Sequence, residues 1–437
     1  MNLIKEIFSR TNATWILSVL AIASVALGFL GAEKSIDLMK YYAAITTVGV
    51  AAACSLIAVF IGKNIPAKIL HLGFAFVLAG WVYSQLTSPT GGAMQLCAEM
   101  KNSYSLPDDD TRFTLDSFTI DYWENSKAIK QYTSKVSLSN GQKATISVNH
   151  PFIFNGWWIY QNSYKRIPHP HTGEYFYFTI LQCIKDTGLP FVALGGGLIL
   201  LGAALWMMTF INFIKFKIKP FNITRPLLHK ITVALYFFTF LCTVAMLIHR
   251  TVATGHPPMQ NMYEFLMCTT SFIPLLTFAS AFRDKENTLL VDAALQTLIL
   301  IPIAFFMNGD VRKLMPALQS PLFIPHVGAY VIGYVILVRA ALGAGRRLVG
   351  AGFFLLTLGL VLGALWGKIC WGNWWQFDPK EMWSLATWLV YASFFHVAPR
   401  LSEKQKTAFL ALGAIMIILT LTWINLSRIF TGMHSYA

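Results

Sequence analysis

Residues 348–366 read LVGAGFFLLTLGLVLGALW, a stretch that contains no charged side chain. A run of about 20 apolar residues is long enough to cross the hydrocarbon core of a bilayer as an α-helix. The basic pair Arg346-Arg347 stands shortly before this run and Trp366 ends it, which is the flanking pattern of a transmembrane helix. The stretch predicts a membrane protein, and several other parts of the chain have the same character.

The composition of the whole chain agrees with this prediction. Of the 437 residues, 55% are hydrophobic and only 12% are charged, whereas soluble domains carry about 25% charged residues. This deficit excludes a water-soluble enzyme, a disordered scaffold and a nucleic-acid-binding protein. The six cysteines form neither a CxxC nor a CxxCH motif, so neither a zinc ribbon nor covalently attached haem is indicated.

Hydropathy predicts an all-α polytopic membrane protein with about eleven transmembrane helices. Each span is expected to be helical, because lipid offers no hydrogen-bonding partner to the backbone. The predicted spans are residues 14–31, 43–62, 69–86, 189–214, 231–248, 263–282, 289–307, 327–345, 348–366, 382–397 and 408–426. The first span is expected to remain as an anchor, because it is long and lacks a convincing cleavage site for a signal peptidase.

Lysine and arginine concentrate in every second loop, from Lys5 and Arg10 through the basic segment 215–230 to Arg400. Loops rich in these residues stay in the cytoplasm. The pattern therefore predicts a cytoplasmic N-terminus and a C-terminus on the outer side of the membrane. The net charge of +14 is explained by this orientation signal and does not indicate nucleic acid as a partner.

Residues 87–188 are a long hydrophilic segment, which predicts a small β-rich extracytoplasmic domain between the third and fourth helices. Segment 135–148 is typical of a β-hairpin, because its central Asn-Gly suits a type I′ turn. Segments 118–123 and 175–180 are further strand candidates.

Two cysteines of this domain, Cys97 and Cys183, raise the question of a disulfide. The outer side of the membrane is an oxidising compartment, where disulfides form and persist. Sequence does not fix the geometry of the two thiols, so a disulfide and two unpaired, small hydrophobic side chains are both open.

Four histidines fall into two pairs when they are sorted by their expected depth in the membrane. His71 lies near the start of the third span and His396 near the end of the tenth, so both are expected in the cytoplasmic half of the membrane. His326 precedes the eighth span and His434 follows the eleventh, so both are expected at the outer surface. Ionisable side chains inside a membrane are costly and are usually functional.

Paired imidazoles from separate helices point to haem, because six-coordinate haem iron needs two axial ligands. For any single histidine, a hydrogen bond that packs two helices is an alternative of similar weight. Zinc is a weaker alternative, because a zinc site usually has three or four ligands and no cysteine or carboxylate is obviously placed to complete one. The matching depth within each pair favours haem.

The segment 366–383, WGKICWGNWWQFDPKEMW, contains five tryptophans in 18 residues. Tryptophan is common at membrane boundaries, but this number exceeds what interfacial anchoring needs. Large flat rings can stack on a planar macrocycle, and the interleaved glycines permit a tight turn. Asp378-Pro-Lys-Glu381 predicts the start of a helix, with acidic side chains near its N-terminus.

The tryptophan-rich segment resembles the WWD signature of the haem-handling proteins of cytochrome c biogenesis. The resemblance rests on Trp371-Gly-x-x-Trp375-x-Phe377-Asp378-Pro-Lys-Glu381 and on Gly432-Met-His434-Ser-Tyr436. The family usually has tryptophan where this chain has Phe377, which keeps an aromatic ring but removes the indole N–H. We call residues 366–383 the WWD segment.

The first half of the chain resembles the ResB-type partner subunit, through Leu70-His71-Leu-Gly-Phe and Asn155-Gly-Trp-Trp-Ile-Tyr160. The whole chain is therefore similar to a fused system II cytochrome c synthase of the CcsBA type, joined near residues 215–230. The resemblance divides the chain into four parts. These are residues 1–86 with ResB-like transmembrane helices, 87–188 with the β-rich domain, 189–228 with the fourth helix and a cytoplasmic linker, and 229–437 with the CcsA-like haem-handling domain.

A synthase of this family exports haem b across the bacterial cytoplasmic membrane and joins its vinyl groups to the Cys-x-x-Cys-His thiols of apocytochrome c. The resemblance implies that His71 and His396 ligate haem within the membrane, and that His326 and His434 ligate it at the outer surface. The residues expected to act in catalysis are His326, His434, Trp371, Trp375 and Asp378. The residues expected to bind haem besides the four histidines are Trp371, Trp374, Trp375 and Phe377. A thioredoxin-like reductant of the substrate thiols would be a further partner.

Three other functions agree with parts of the sequence. A WWD protein could export or chaperone haem without forming a thioether, although the external histidine pair and the ResB-like half argue against this. A b-type membrane cytochrome would also use paired histidines, but it would need neither a tryptophan-rich loop nor a separate outer domain. A generic transporter explains the spans but neither the paired histidines nor the aromatic loop.

Overall fold

The computed structural model describes residues 38–62, 64–89, 91–169, 174–212, 227–281 and 287–426. These residues form long helices in the order expected from hydropathy. The helices are α1 (Leu38–Ile61), α2 (Ile65–Thr87), α3 (Leu189–Asn212), α4 (Leu227–Thr254), α5 (Met262–Ala279), α6 (Leu289–Phe305), α7 (Phe323–Ala341), α8 (Val349–Trp371), α9 (Pro379–Val397) and α10 (Glu403–Leu426). The first predicted span, 14–31, lies outside the described residues.

Seven helices in the described part of the chain are long and apolar enough to cross a membrane, namely α2, α3, α4, α5, α7, α8 and α10. Two further apolar stretches, Ala51–Ile61 in α1 and Leu289–Phe305 in α6, are shorter. The predicted integral membrane protein is therefore confirmed. The count of about eleven spans stays a prediction.

The eight strands that the structure describes between α2 and α3 confirm the predicted β-rich domain. They are β1 (Ala93–Leu96), β2 (Ser103–Leu106), β3 (Asp109–Tyr122), β4 (Ile129–Leu138), β5 (Lys143–Ser147), β6 (Phe152–Phe154), β7 (Trp157–Pro168) and β8 (Tyr175–Ile184). The strands form two antiparallel sheets, in the orders β1-β8-β7-β6 and β2-β3-β4-β5. Phe113 and Val136 of one sheet and Trp157 and Leu181 of the other are fully buried in one shared core.

The predicted hairpin is present, but its turn differs from the prediction. β4 and β5 pair as antiparallel neighbours. A type I′ turn needs a positive φ at both central residues, whereas here Gly141 has a φ of +88° and Asn140 lies outside the positive-φ region. Gly141 N donates to Leu138 O at 2.9 Å. The glycine is therefore the single left-handed residue that follows a tight turn.

The two cysteines of the domain are buried free thiols. Cys183 N donates to Gly92 O at 3.0 Å, which places Cys183 beside a residue five positions before Cys97. At about 3.3 Å per residue this offset is about 16 Å, more than the limit of about 7 Å between the Cα atoms of a disulfide. Burial raises the pKa of the Cys183 thiol to about 12 and also raises that of Cys97. Both therefore act as small hydrophobic residues.

Helices α2 and α3 carry the β domain between them and pack closely together. A Cβ added to Gly73 of α2 would lie 2.7 Å from Ile199 N and 2.8 Å from Gly195 O of α3. Such small residues allow two helices in a membrane to approach at backbone distance. The crossing fixes α2, and with it His71, relative to α3. We call the end of the helices that joins the β domain the domain end, and the other end the opposite end.

Candidate functional site

Two of the four predicted histidines meet at the opposite end of the helices. His71 lies in the second turn of α2, and His396 is the next-to-last residue of α9. Their ring centroids are 6.1 Å apart and their ring planes differ by 71°. With metal–nitrogen bonds of about 2.0–2.1 Å and about 1 Å from nitrogen to ring centre, two imidazoles on opposite sides of one ion have centroids about 6 Å apart. The spacing of this histidine pair therefore suits ligation of a single metal ion.

The helix that carries His396 fixes the orientation of its ring. Nδ1 lies 2.8 Å from the carbonyl oxygen of Ala392. Because a carbonyl oxygen only accepts, Nδ1 donates its proton, and in the neutral ring Nε2 carries the lone pair. Metal-ligating histidines commonly hold their second nitrogen in such a hydrogen bond.

Aromatic side chains join the two halves of the chain close to the histidine pair. Phe74, one turn beyond His71 on α2, lies 5.2 Å from the Trp388 ring of α9. Trp388 also stacks on Phe353 of α8, with centroids 5.3 Å apart, and its Nε1 donates to Thr357 Oγ1 at 2.9 Å. This contact between α2, α8 and α9 holds the two histidine-bearing helices together.

His326 lies at the domain end, in the first turn of α7. A Cβ added to Gly363 of α8 would lie 2.6 Å from His326 Cε1, so the missing side chain makes room for the imidazole. His326 Nδ1 lies 2.8 Å from Gly359 O, one turn earlier on α8. As for His396, Nδ1 donates and Nε2 of the neutral ring carries the lone pair.

Tryptophan rings connect His326 to the WWD segment. The His326 ring lies 5.6 Å from the Trp366 ring, and Trp366 stacks on Trp371 with centroids 6.1 Å apart. His434, the predicted partner of His326, lies outside the described residues. The pairing of these two histidines therefore stays a prediction.

The WWD segment is held in one conformation by contacts with both halves of the chain. Gly372, with a φ of +89°, turns the chain after α8. Trp375 Nε1 donates a hydrogen bond to Met382 Sδ at 3.4 Å. Phe377 has a φ of +57°, which is unusual for a bulky residue, and its ring lies 6.0 Å from Trp81 of α2. Backbone strain of this kind persists where the surrounding structure enforces it.

Asp378 and Glu381 confirm the predicted helix start. Asp378 is the N-cap of α9 and is buried, and its side chain accepts from Lys380 N at 3.1 Å. The Glu381 carboxylate accepts in return from Asp378 N at 3.3 Å and from Gln376 N at 2.8 Å. This is a capping box, which satisfies orphan backbone donors and gives both acids a structural task.

The β domain reaches the WWD segment through the loop before α7. Asn149 Nδ2 donates to the backbone oxygens of Pro316 and Ala317 at 3.0 and 3.2 Å. Trp366 Nε1 of the WWD segment donates to the same Ala317 oxygen at 3.2 Å. The loop therefore connects Asn149 of the β domain with the tryptophan that lies beside His326.

Asp186, between β8 and α3, was missed by the sequence prediction. Its Oδ2 lies 2.8 Å from Lys368 Nζ and accepts from Trp374 Nε1 at 3.0 Å, and its Oδ1 accepts from Ser84 Oγ at 2.7 Å. Burial acts to raise the pKa of Asp186, but the hydrogen bond and charge of Lys368, with the bonds from Ser84 and Trp374, outweigh it and hold the pKa below its usual value. The signal in the sequence was Lys368, a single charge at the end of an apolar run.

Two buried ion pairs inside the helices were missed as well. Arg339 Nε lies 2.6 Å from Asp292 Oδ1, and Arg250 Nε lies 2.7 Å from Glu264 Oε1. Three of these four residues fall within predicted spans, which was the available signal. Ionisable groups inside a membrane usually pair with one another, so these pairs are read as contacts that hold α4 to α5 and α6 to α7.

Comparison with known proteins assigns a family to each half of the chain. The model of the ResB-like family matches residues 50–176, and that of the cytochrome C assembly protein family matches residues 344–431. A cytochrome c biogenesis protein CcsA from Prochlorococcus marinus is 30% identical over 259 residues, which are 44% of this chain and 78% of that protein. CcsA from Chlamydomonas reinhardtii is 32% identical over 241 residues, which are 45% of this chain and 65% of that protein.

A third relative agrees with the other two. CcsA from a Synechococcus strain is 28% identical over 258 residues, which are 45% of this chain and 81% of that protein. The WWD segment lies within the part that the assembly-protein family matches, and His71 and most of the β domain lie within the ResB-like part. The chain therefore belongs to the CcsA family of cytochrome c biogenesis proteins and carries a ResB-like half before its CcsA-like half.

Proposed function

We propose that this chain is a cytochrome c synthase of the haem lyase type. It exports haem b across the bacterial cytoplasmic membrane and joins it to apocytochrome c on the outer side. The observation that carries the proposal is the pair His71 and His396, which stand on different halves of the chain with ring centroids 6.1 Å apart. In this proposal the opposite end of the helices faces the cytoplasm and the domain end faces outward.

Haem is the substrate at both ends of the helices. His71 and His396 would hold the iron on the cytoplasmic side. For His396 the ligand would be Nε2, as the hydrogen bond of its Nδ1 to Ala392 O supports. Two neutral imidazoles would keep the iron ligated while haem is held at this end of the helices. The resemblance alone provides the direction of transport.

At the domain end, His326 and His434 would receive the haem. Trp371, Trp374, Trp375 and Phe377 would lie against a face or an edge of the macrocycle. The stacking of Trp366 on Trp371 beside His326 supports this placement, because it brings large flat rings next to the proposed ligand. Ring stacking fixes the plane of a porphyrin without reacting with it.

The proposed reaction is the addition of a thiol to a vinyl group. The cysteine sulfur bonds to the vinyl carbon next to the porphyrin ring, and its hydrogen goes to the terminal carbon, so nothing is oxidised or reduced. The protein needs no nucleophile, because the Cys-x-x-Cys-His segment of apocytochrome c brings both thiols. The contribution of the synthase is orientation and proximity, and reduced iron protects the thiols from oxidation. A thioredoxin-like protein would keep the substrate thiols reduced.

Asp378 takes a positioning role in this mechanism rather than an acid–base role. Its carboxylate caps α9 and accepts from Lys380 N, which is a structural contact with the backbone. It thereby fixes the place where the WWD segment joins α9. Trp375 donates to Met382 of α9, so it is also held close to the start of this helix.

One experiment decides between ligation and haem export alone. The full chain is expressed with an apocytochrome c in a host that lacks its own maturation machinery, and covalent haem is detected by its peroxidase activity after denaturing electrophoresis. We expect a stained band at the size of the cytochrome. A synthase that is folded and loaded with haem but yields no such band would contradict ligation and leave export or chaperoning of haem, or electron transfer by a b-type cytochrome.

A further inference from the structure

The network around Asp186 lies where separate parts of the chain meet at the domain end. Ser84 belongs to α2, the helix that carries His71, whereas Lys368 and Trp374 belong to the WWD segment. We propose that Asp186 is a positioning residue, whose carboxylate orients the Trp374 indole and the turn before it for contact with haem. This inference rests on the proposed function, because it concerns the same haem site.

Burial of the network makes its geometry specific. The side chains of Asp186 and Lys368 are 6% and 2% exposed. A buried ion pair contributes little net stability, because the loss of hydration offsets the attraction. Hydrogen bonds with an ionised partner are, however, short and directional. The network is therefore better suited to fix the orientation of the indole than to stabilise the fold.

Lys368 extends the network to the turn that opens the WWD segment. Its Nζ donates to Gly372 O at 3.0 Å, and Gly372 has the positive φ that reverses the chain. The same ammonium thus holds the turn and pairs with the carboxylate that holds Trp374. Loss of the carboxylate would leave Lys368 buried with one neutral acceptor, so both the turn and the indole would lose their fixed positions.

Tyr160 of β7 adds a second, independent observation at this turn. Its side chain packs against Gly372 and is 2% exposed. Its hydroxyl is buried and has no hydrogen-bond partner within the described residues. Most buried polar side-chain atoms in folded proteins have a hydrogen-bond partner, so this hydroxyl is an exception that lies directly at the turn. The β domain therefore shapes the turn directly and leaves a polar atom beside it.

Asp108 provides a matched control within the same domain. Its carboxylate is also shared by a lysine and an indole, since Lys185 Nζ and Trp157 Nε1 both lie 2.5 Å from its oxygens. This aspartate is, however, 43% exposed, and Trp157 belongs to the core of the β domain rather than to the WWD segment. A substitution at Asp108 weakens a lysine pair and an indole hydrogen bond of the same kind, and removes no contact of Asp186, Lys368 or Trp374.

The test compares Asp186→Asn, Trp374→Phe, their combination and Asp108→Asn in the full chain, expressed with apocytochrome c as above. Product is measured per haem bound to the purified synthase, together with the visible absorption spectrum of that haem. We expect Asp186→Asn and Trp374→Phe each to lower product per bound haem about tenfold, the equivalent of about 1.4 kcal/mol, and to shift the spectrum. The combination should lose no more than either single variant, because both break one interaction. Asp186→Glu should recover part of the loss.

Distinct results separate failure of this inference from failure of the proposed function. Wild-type product and spectrum in Trp374→Phe and Asp186→Asn would overturn the positioning role and leave the synthase function intact. An equal loss in Asp108→Asn would overturn it too, because the effect would then come from the β domain in general. If the Asp186→Asn protein does not accumulate in the cell, the product and the spectrum of Trp374→Phe alone decide on the positioning role. If the wild type forms no covalent product, the proposed function fails, and an unshifted spectrum in Trp374→Phe still overturns the positioning role.

Discussion

The two ends of the helices hold their histidines by different means. At the opposite end, His71 and His396 come from different halves of the chain and meet edge to face, with ring centroids 6.1 Å apart. At the domain end, His326 lies where Gly363 leaves room on α8 and beside the Trp366 ring. The first arrangement depends on two helices that meet, whereas the second depends on a turn, a loop and the β domain.

Because of this difference, substitutions at the two ends should have different consequences. A change at the opposite end should act on how much haem the synthase holds, because the histidine pair is the point of entry in the proposed function. A change at the domain end should act on product per bound haem. Haem content and product per bound haem, measured together for each variant, therefore distinguish the two ends in one experiment.

The largest effect is expected from His326→Ala. The substitution removes the proposed axial ligand at the domain end while it leaves His71 and His396 in place. We expect covalent cytochrome to fall below detection and some haem to remain on the purified synthase. Peroxidase staining and the absorption spectrum measure the two quantities. Wild-type amounts of product would show that His326 does not ligate the reacting haem.

A smaller but still severe effect is expected from His71→Ala. One of two imidazoles at a distance that suits a single iron is lost, so haem bound to the purified synthase should fall several-fold, and product should fall with it. His249→Ala, an exposed histidine of α4, is the control for loss of a histidine from a helix. Unchanged haem content in His71→Ala would contradict entry through this pair.

Gly363→Ala tests the packing of His326 without removing the imidazole. The new Cβ would lie 2.6 Å from His326 Cε1, so the ring must move from its place against α8. We expect product to fall about tenfold, as for a misplacement of about 1 Å or less, with haem content unchanged. Gly197→Ala in α3 is the matched control, because nothing lies within 4 Å of its added Cβ. Equal product in both variants would show that the position of His326 is not critical.

Sequence predicted one end of the helices better than the other for a physical reason. Apolar runs fix the depth of every residue in a helix, so sorting by depth found His71 and His396, which the structure brings together. Contacts across long separations carry no such periodic signal. The bond between Lys368 and Asp186 spans 182 positions, and neither residue lies in a motif that names the other.

The same reason explains why the predicted turn type was wrong and why the pairing of the two cysteines stayed open. Asn-Gly predicted the hairpin between β4 and β5 correctly, because local turn chemistry and alternation agree there. It did not predict the turn type, since the register of the two strands decides which residues occupy the central positions. Whether Cys97 and Cys183 can pair depends on the register of β1 against β8, which local sequence does not determine either.

The smallest expected effect is a dependence on pH at the domain end. The pKa of Asp186 in the folded protein lies below its usual 3.8. A carboxylate with a lowered folded-state pKa contributes stability that is fully present above its unfolded pKa and is lost as the pH falls through the folded value. The difference in Tm between the wild type and Asp186→Asn, both in detergent, should therefore stay constant from about pH 8 to about pH 5 and shrink below about pH 4.

The Asp108→Asn variant shows which part of this dependence comes from burial. The hydrogen bonds from Lys185 and Trp157 also lower the pKa of Asp108, but solvent screens an exposed pair, so its difference in Tm should be smaller at every pH. A difference for Asp186→Asn that shrinks already between about pH 7 and about pH 5 would mean that Lys368 does not hold the carboxylate ionised. The remaining contacts of the domain end, such as the hydrogen bonds of Asn149 and Trp366 to the loop before α7, would then fix the WWD segment without this charge.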